Sequence, residues 1–108
     1  MTELFSAPIE QSLLCSFMDF ADVGDYVEQL DVNDFYYGKH QIIFQYIKEQ
    51  HLKGESHDSV IIWERIRTNS AEANQVSESY MIELASNLGV PTLLPTHIKK
   101  LKEFSTRR

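Results

Sequence analysis

The stretch DFYYGKHQIIFQYIKEQHLKG, residues 34–54, constrains the chain most. Within it His40, Ile43, Phe44, Ile47 and His51 recur at steps of three and four, which is one face of an α-helix. The spacing predicts a helix from about Tyr37 to Lys53. Gly54 stands just past its end, where a left-handed cap residue belongs.

The remaining segments repeat the helical period. SAPIEQSLLCSFMDF opens with Ser6, Pro8 and Glu10, which suit a first helical turn. Ile9, Leu13 and Phe17 then step by four, and Leu14 and Met18 widen the stripe. Val23, Tyr26, Val27 and Leu30 form a second amphipathic set. DVNDFYY reads as a turn or a short helical turn, and Asp58 as the N-cap of the segment after the ESHD loop. That segment, SVIIWERIRTN, has a run of β-branched and aromatic residues that would suit a strand. No second strand offers to pair with it, and Ile62 and Ile66 lie one turn apart, so a helix is predicted. SAEANQVSE is polar and reads as a loop, as does VPTLLPTH with its two prolines. Between them Tyr80, Leu84 and Leu88 mark a helix closing on Gly89. A last helix is expected from about Thr96, with His97, Leu101 and Phe104 on one face. The predicted fold class is all-α: a compact orthogonal bundle of about six short helices over residues 8–108, after a tail at 1–7.

A chain of 108 residues suits one domain with a modest core. It has no apolar run long enough for a membrane helix, and MTELFSAPIEQ lacks the basic start of a secretory signal. A single cysteine, Cys15, cannot close an internal disulfide, so a cytoplasmic location is expected. Net charge is −6, unevenly spread. KKLKEFSTRR, residues 99–108, holds five of the ten basic residues, which leaves net −10 on the first 98. Such a body repels a phosphate backbone, so strong direct nucleic-acid binding is not expected.

Four histidines invite a search for a site. His40 and His51 share a helix face but stand about 16 Å apart along it, too far to hold one metal. The zinc-protease spacing, two histidines at i and i+4 beside a glutamate, is absent. Both lie on the apolar stripe, and His40 is expected to be partly buried and bonded to a neighbouring backbone carbonyl or loop. His51 near a helix C-terminus suits the dipole. His57 beside Asp58 reads as a loop and cap pair, and His97 stands alone. Asp19, Asp22, Asp25, Glu28, Asp31 and Asp34 recur at every third position. A calcium loop needs every second position, and steps of three fan out around a helix, so caps and solvated carboxylates are expected, with an acidic surface for a basic partner as the functional alternative. Cys15 reads as a small core residue. GxSxG, GxGxxG and GxxxxGK[ST] are all absent, so no catalysis, metal or cofactor is expected of this chain alone. The basic end, Lys99, Lys100, Lys102, Arg107 and Arg108, is expected to complement its own helix dipole, with a contact to nucleic acid or to an acidic surface as the alternative.

Four blocks in order resemble the N-terminal domain of the DnaB-type replicative DNA helicase. They are IEQSLLCSFM (9–18), the 34–54 stretch, HDSVIIWERI (57–66), and YMIELASN (80–87) with HIKKLKEFSTRR (97–108). Asp34, Phe35, Tyr36, His40, Phe44, Gly54, Asp58, Tyr80, Glu83 and Leu84 fall on the family's recurring positions, and the resemblance implies that they determine the fold and do no catalysis. Cys15 stands where glycine is usual, and NLGVPTLLPTH lacks the family's usual loop, which points to a divergent member. The resemblance implies a non-catalytic interaction domain that forms a collar on a hexameric ring in the primosome. It supports oligomer assembly with other helicase subunits, recruits primase in DNA replication, and offers a surface to a helicase loader. ATP and Mg belong to the family's separate ATPase domain. That domain and the helical hairpin that follows the head are expected to be missing here. Ile98, Leu101, Phe104, Arg107 and Arg108 are the expected interface residues. The alternative is a stand-alone phage or plasmid regulator that binds a host replicative helicase.

Overall fold

The computed structural model describes residues 5–20, 23–87 and 91–108. Among them seven α-helices run in order: α1 (Ala7–Asp19), α2 (Gly24–Glu28), α3 (Gly38–Leu52), α4 (Ser59–Ile66), α5 (Ser70–Val76), α6 (Glu78–Ala85) and α7 (Leu94–Arg107). Two short 3-10 turns, Val32–Asp34 and Pro91–Leu93, complete the order, and no described residue is in a strand. The all-α prediction holds, including the helix over SVIIWERI.

Local chemistry explains the boundaries. Ser6 caps α1, its hydroxyl accepting the Ile9 N–H, so the helix begins just inside the predicted tail. α3 ends as its sequence predicts. Gly54 has φ +70°, the Glu55 N–H reaches the Gln50 carbonyl and the Gly54 N–H that of His51, which together make a Schellman cap. Asp58 caps α4 through the Val60 and Ile61 N–H groups. Around the first 3-10 turn Asp31 and Asp34 cap each other reciprocally, so two of the acids at every third position serve as caps. Asp22, Leu88 and Gly89 lie outside the described residues.

Two loop predictions need correction. SAEANQVSE contains α5, whose cap is Asn69 accepting from the Ala71 and Glu72 N–H groups. Only Val76 of this helix is buried, so its polar pattern carries no stripe. The predicted loop before the last helix also closes too late. Pro95 sits in the first turn of α7, where a missing N–H costs nothing, and the helix starts at Leu94.

α3 lies at the centre, packed against α1, α2, α4, α5 and the first 3-10 turn, while α7 lies along α1. The core is a single cluster in which Phe44 of α3 meets Phe35 at 4.9 Å and Phe17 of α1 at 6.0 Å between ring centroids. Leu94, Ile98, Leu101 and Phe104 of α7 are buried in this same body. Polar struts bind the perimeter to α3. Lys48 donates to the Leu30 carbonyl at 2.7 Å, Arg65 to Gln50 and Glu49 at 3.0 Å each, and the Tyr46 hydroxyl to Glu72. α2 approaches so closely that a Cβ on Gly24 would lie 2.5 Å from the His51 ring, which would have to shift to admit it. No helix among the described residues is long and apolar enough to cross a membrane.

Candidate functional site

The densest polar cluster is inside the bundle. Glu10 on α1 and His40 on α3 are 0% and 1% exposed. A carboxylate and an imidazole so placed must find partners or cost several kcal/mol, on the order of the penalty for buried unpaired polar groups. They find a complete set. Glu10 accepts the Tyr36 N–H at 2.9 Å, the Tyr37 N–H at 3.4 Å and the His40 Nδ1–H at 2.8 Å. His40 Nε2 meets the Tyr80 hydroxyl of α6, and the Gln11 amide donates to that hydroxyl at 3.1 Å. The donors assign the ring as the Nδ1–H tautomer, with Tyr80 donating to Nε2. Burial pushes the Tyr80 phenol above its usual range despite the Gln11 contact, so the hydroxyl keeps the proton it donates. Lys39 lies 3.7 Å over the Tyr80 ring and covers its outer face.

The chain of bonds therefore runs Gln11, Tyr80, His40, Glu10 and the start of α3, and it ties three helices together. No buried side-chain nitrogen or oxygen along it is left without a partner. The expectation for His40 is refined on this point: its partners are two side chains from distant helices, not a backbone carbonyl or loop. Glu10 is the residue that sequence reasoning missed. Its place in the first turn of α1 offers an ordinary local role, whereas its carboxylate crosses to the N-terminal end of α3.

A second polar junction lies where α7 meets the 3-10 turn. Lys102 pairs with Asp34 at 2.8 Å, and the Arg108 guanidinium donates to the Asp34 carbonyl at 2.7 Å. Burial alone would raise the Asp34 carboxyl, but the Asp31 N–H, the Lys102 ammonium and the Ser105 hydroxyl more than offset it, so its pKa is lowered. Arg108 also faces the Tyr36 ring at 5.6 Å, and Phe5 stacks on that ring at 4.2 Å.

The other candidates divide plainly. Phe35, Phe44 and Leu84 are core residues, and Gly54 and Asp58 are caps. Tyr36 is half-exposed and Glu83 is exposed. Ile98, Leu101 and Phe104 were expected at an interface, but this must be corrected: they are 6%, 0% and 9% exposed and fill the chain's own core. Of that set only Arg107 and Arg108 are exposed. His51 and His57 share a cleft of about 480 Å³ with Asp19 and Asp58, their rings edge to face at 6.4 Å. Among the described residues no group of three or more histidine, cysteine or carboxylate side chains could hold a metal ion. Cys15 is buried and donates to the Asn87 carbonyl at 2.9 Å. Burial, then the Asp19 charge, push its thiol to about 12, so it stays protonated and unreactive.

Comparison with known proteins supports the resemblance seen in the sequence. A family model described as the DnaB-like helicase N-terminal domain matches residues 2–103. No curated protein matches the chain.

Proposed function

Because the chain belongs to the DnaB-like helicase N-terminal domain family, we propose that it is a non-catalytic interaction domain that supports assembly of a replicative DNA helicase ring and recruits primase to it. The family match over residues 2–103 carries this reading. The architecture supports it. The most catalysis-like cluster, Glu10–His40–Tyr80, is closed on itself and spends its bonds on joining α1, α3 and α6. The reading places the domain in the cytoplasm, assigns it no cofactor, and names helicase subunits, primase and a helicase loader as partners.

Sedimentation velocity tests it directly. The chain is run alone over a concentration series, then mixed with replicative helicase subunits and with primase from the same cell. Co-sedimentation with either is the expected result. Independent migration of all three at micromolar concentration overturns the reading.

A further inference from the structure

Exposed apolar side chains are spread over the bundle, among them Phe20, Tyr36, Leu52 and Leu93, but two of the most exposed border one groove. Val60 of α4 is 69% exposed and Ile82 of α6 is 60% exposed. Both line a groove of about 280 Å³ between the two helices. Trp63 and Met81 also line it. Met81 is itself buried, so the groove has an apolar floor that joins the core. An indole beside an adaptable methionine is the composition of an anchor pocket for an apolar side chain.

Charge decides what fits. Glu64 and Glu78 stand at the groove. Arg67 also lines it but pairs with Glu64 at 3.4 Å, while Glu78 has no ion-pair partner among the described residues. The field behind the groove is that of a folded body with net charge −6. An acidic partner would be repelled and a basic one drawn in. A second copy is a poor occupant, because the chain is net −6 and its one basic amphipathic helix, α7, already buries its apolar face. α4 and α6 have eight residues each, about 12 Å at 1.5 Å per residue, so the groove matches about two turns of helix.

We propose that the α4/α6 groove docks a basic amphipathic helix of a partner protein, one apolar side chain seated against Trp63 and Met81 and a lysine or arginine set against Glu78. The inference rests on the reading of this domain as an interaction module and names the surface and the partner's chemistry.

Trp63 is the only tryptophan in the chain, so its emission reports occupancy of the groove. The probes are two synthetic helix-forming peptides with the same leucines at i, i+4 and i+7, one with lysine and one with glutamate at the polar positions. The lysine peptide is expected to shift Trp63 emission saturably and to bind at least about tenfold tighter than its glutamate twin. Ile82→Asp should abolish the shift with unchanged far-UV circular dichroism, although it adds negative charge. Glu78→Lys should narrow the gap between the peptides. An unchanged emission with the lysine peptide, or full binding to the Ile82→Asp variant, overturns the groove. If Ile82→Asp still co-sediments fully with helicase subunits and primase, the groove fails while the wider reading survives. If wild-type chain binds the lysine peptide but neither protein, the groove stands and the wider reading fails.

Discussion

The Glu10–His40–Tyr80 chain and the Asp34–Lys102 junction do the same topological work in different solvents. Each ties together segments far apart in sequence through charged or polar side chains. In the first, Glu10 and His40 are out of contact with water, and the bonds are complete within the protein. In the second, the Lys102 side chain remains 42% exposed against an Asp34 side chain at 8%. The physical lesson is one of asymmetry. Water can take over the partners of a half-wet pair when one is removed, but nothing replaces a partner lost from the dry chain.

The largest expected effect comes from breaking the dry chain at its acceptor. Glu10→Ala leaves two backbone N–H groups and an imidazole N–H unpaired in the interior. A loss of about 3–5 kcal/mol is expected, at about 1–3 kcal/mol for each buried donor left unpaired. That lowers the melting temperature by roughly 12 °C or more, at about 4–8 °C per kcal/mol for a domain near this size. His40→Ala should cost a similar amount, and the double variant much less than the sum, because both remove one network. Additive losses in thermal unfolding would show that the two residues act separately. Tyr80→Phe removes only the hydroxyl at the outer end, where the ring and its Lys39 contact remain. About 1–2 kcal/mol is expected for that single bond and the acceptor it denies Gln11.

These two regions also differ in how far the sequence reveals them. Helix α3 was legible because its stripe, its Gly54 cap and the Asp58 cap beyond are local signals within one turn of their effects. Asp34 was singled out by its family position, and its caps lie within three residues. The Glu10 network was not legible as a network. Glu10 lies 30 residues from His40, and Tyr80 another 40 beyond it, and no periodicity links such positions. A first-turn glutamate also has an ordinary local explanation that hides a tertiary one. The one available hint was that Glu10 follows Ile9 on α1 toward the buried stripe and not on the polar side. Helix α5 was missed for the opposite reason: capped by Asn69 with Glu72 three residues on, it is declared by its end chemistry and not by burial. On α7 the apolar spacing was read correctly but its destination was not, since periodicity marks a face for burial without saying whether its own chain or another covers it.

The wet junction gives the smaller, pH-tuned effects. The Asp34 carboxyl has its pKa lowered from 3.8 by folding. Its contribution is therefore fully present above pH 3.8 and is lost as pH falls through the lower folded value. Lys102→Met should remove part of that acid-side dependence, so melting curves of variant and wild type should converge toward low pH and separate by no more than about 1 kcal/mol at neutral pH. A gap that stayed constant down to full protonation of Asp34 would mean that Lys102 acts by packing and not by charge.

The smallest effect calibrates the comparison. Lys100 and Glu103 form an i, i+3 pair at 3.5 Å on the exposed side of α7, with side chains 56% and 38% exposed. The same charges that matter at Asp34 are here bathed in water, screened, and free to reorient at an entropic gain when the pair breaks. Lys100→Met should leave the melting temperature within about 2 °C of wild type at every pH tested, as a pair worth a few tenths of a kcal/mol implies. If it instead matched Lys102→Met, exposure would not be what ranks these contacts. Lys100 and Lys102 stand two residues apart on opposite margins of the same buried stripe, so what separates them is the burial of the acid each one meets, Glu103 at 38% exposed and Asp34 at 8%.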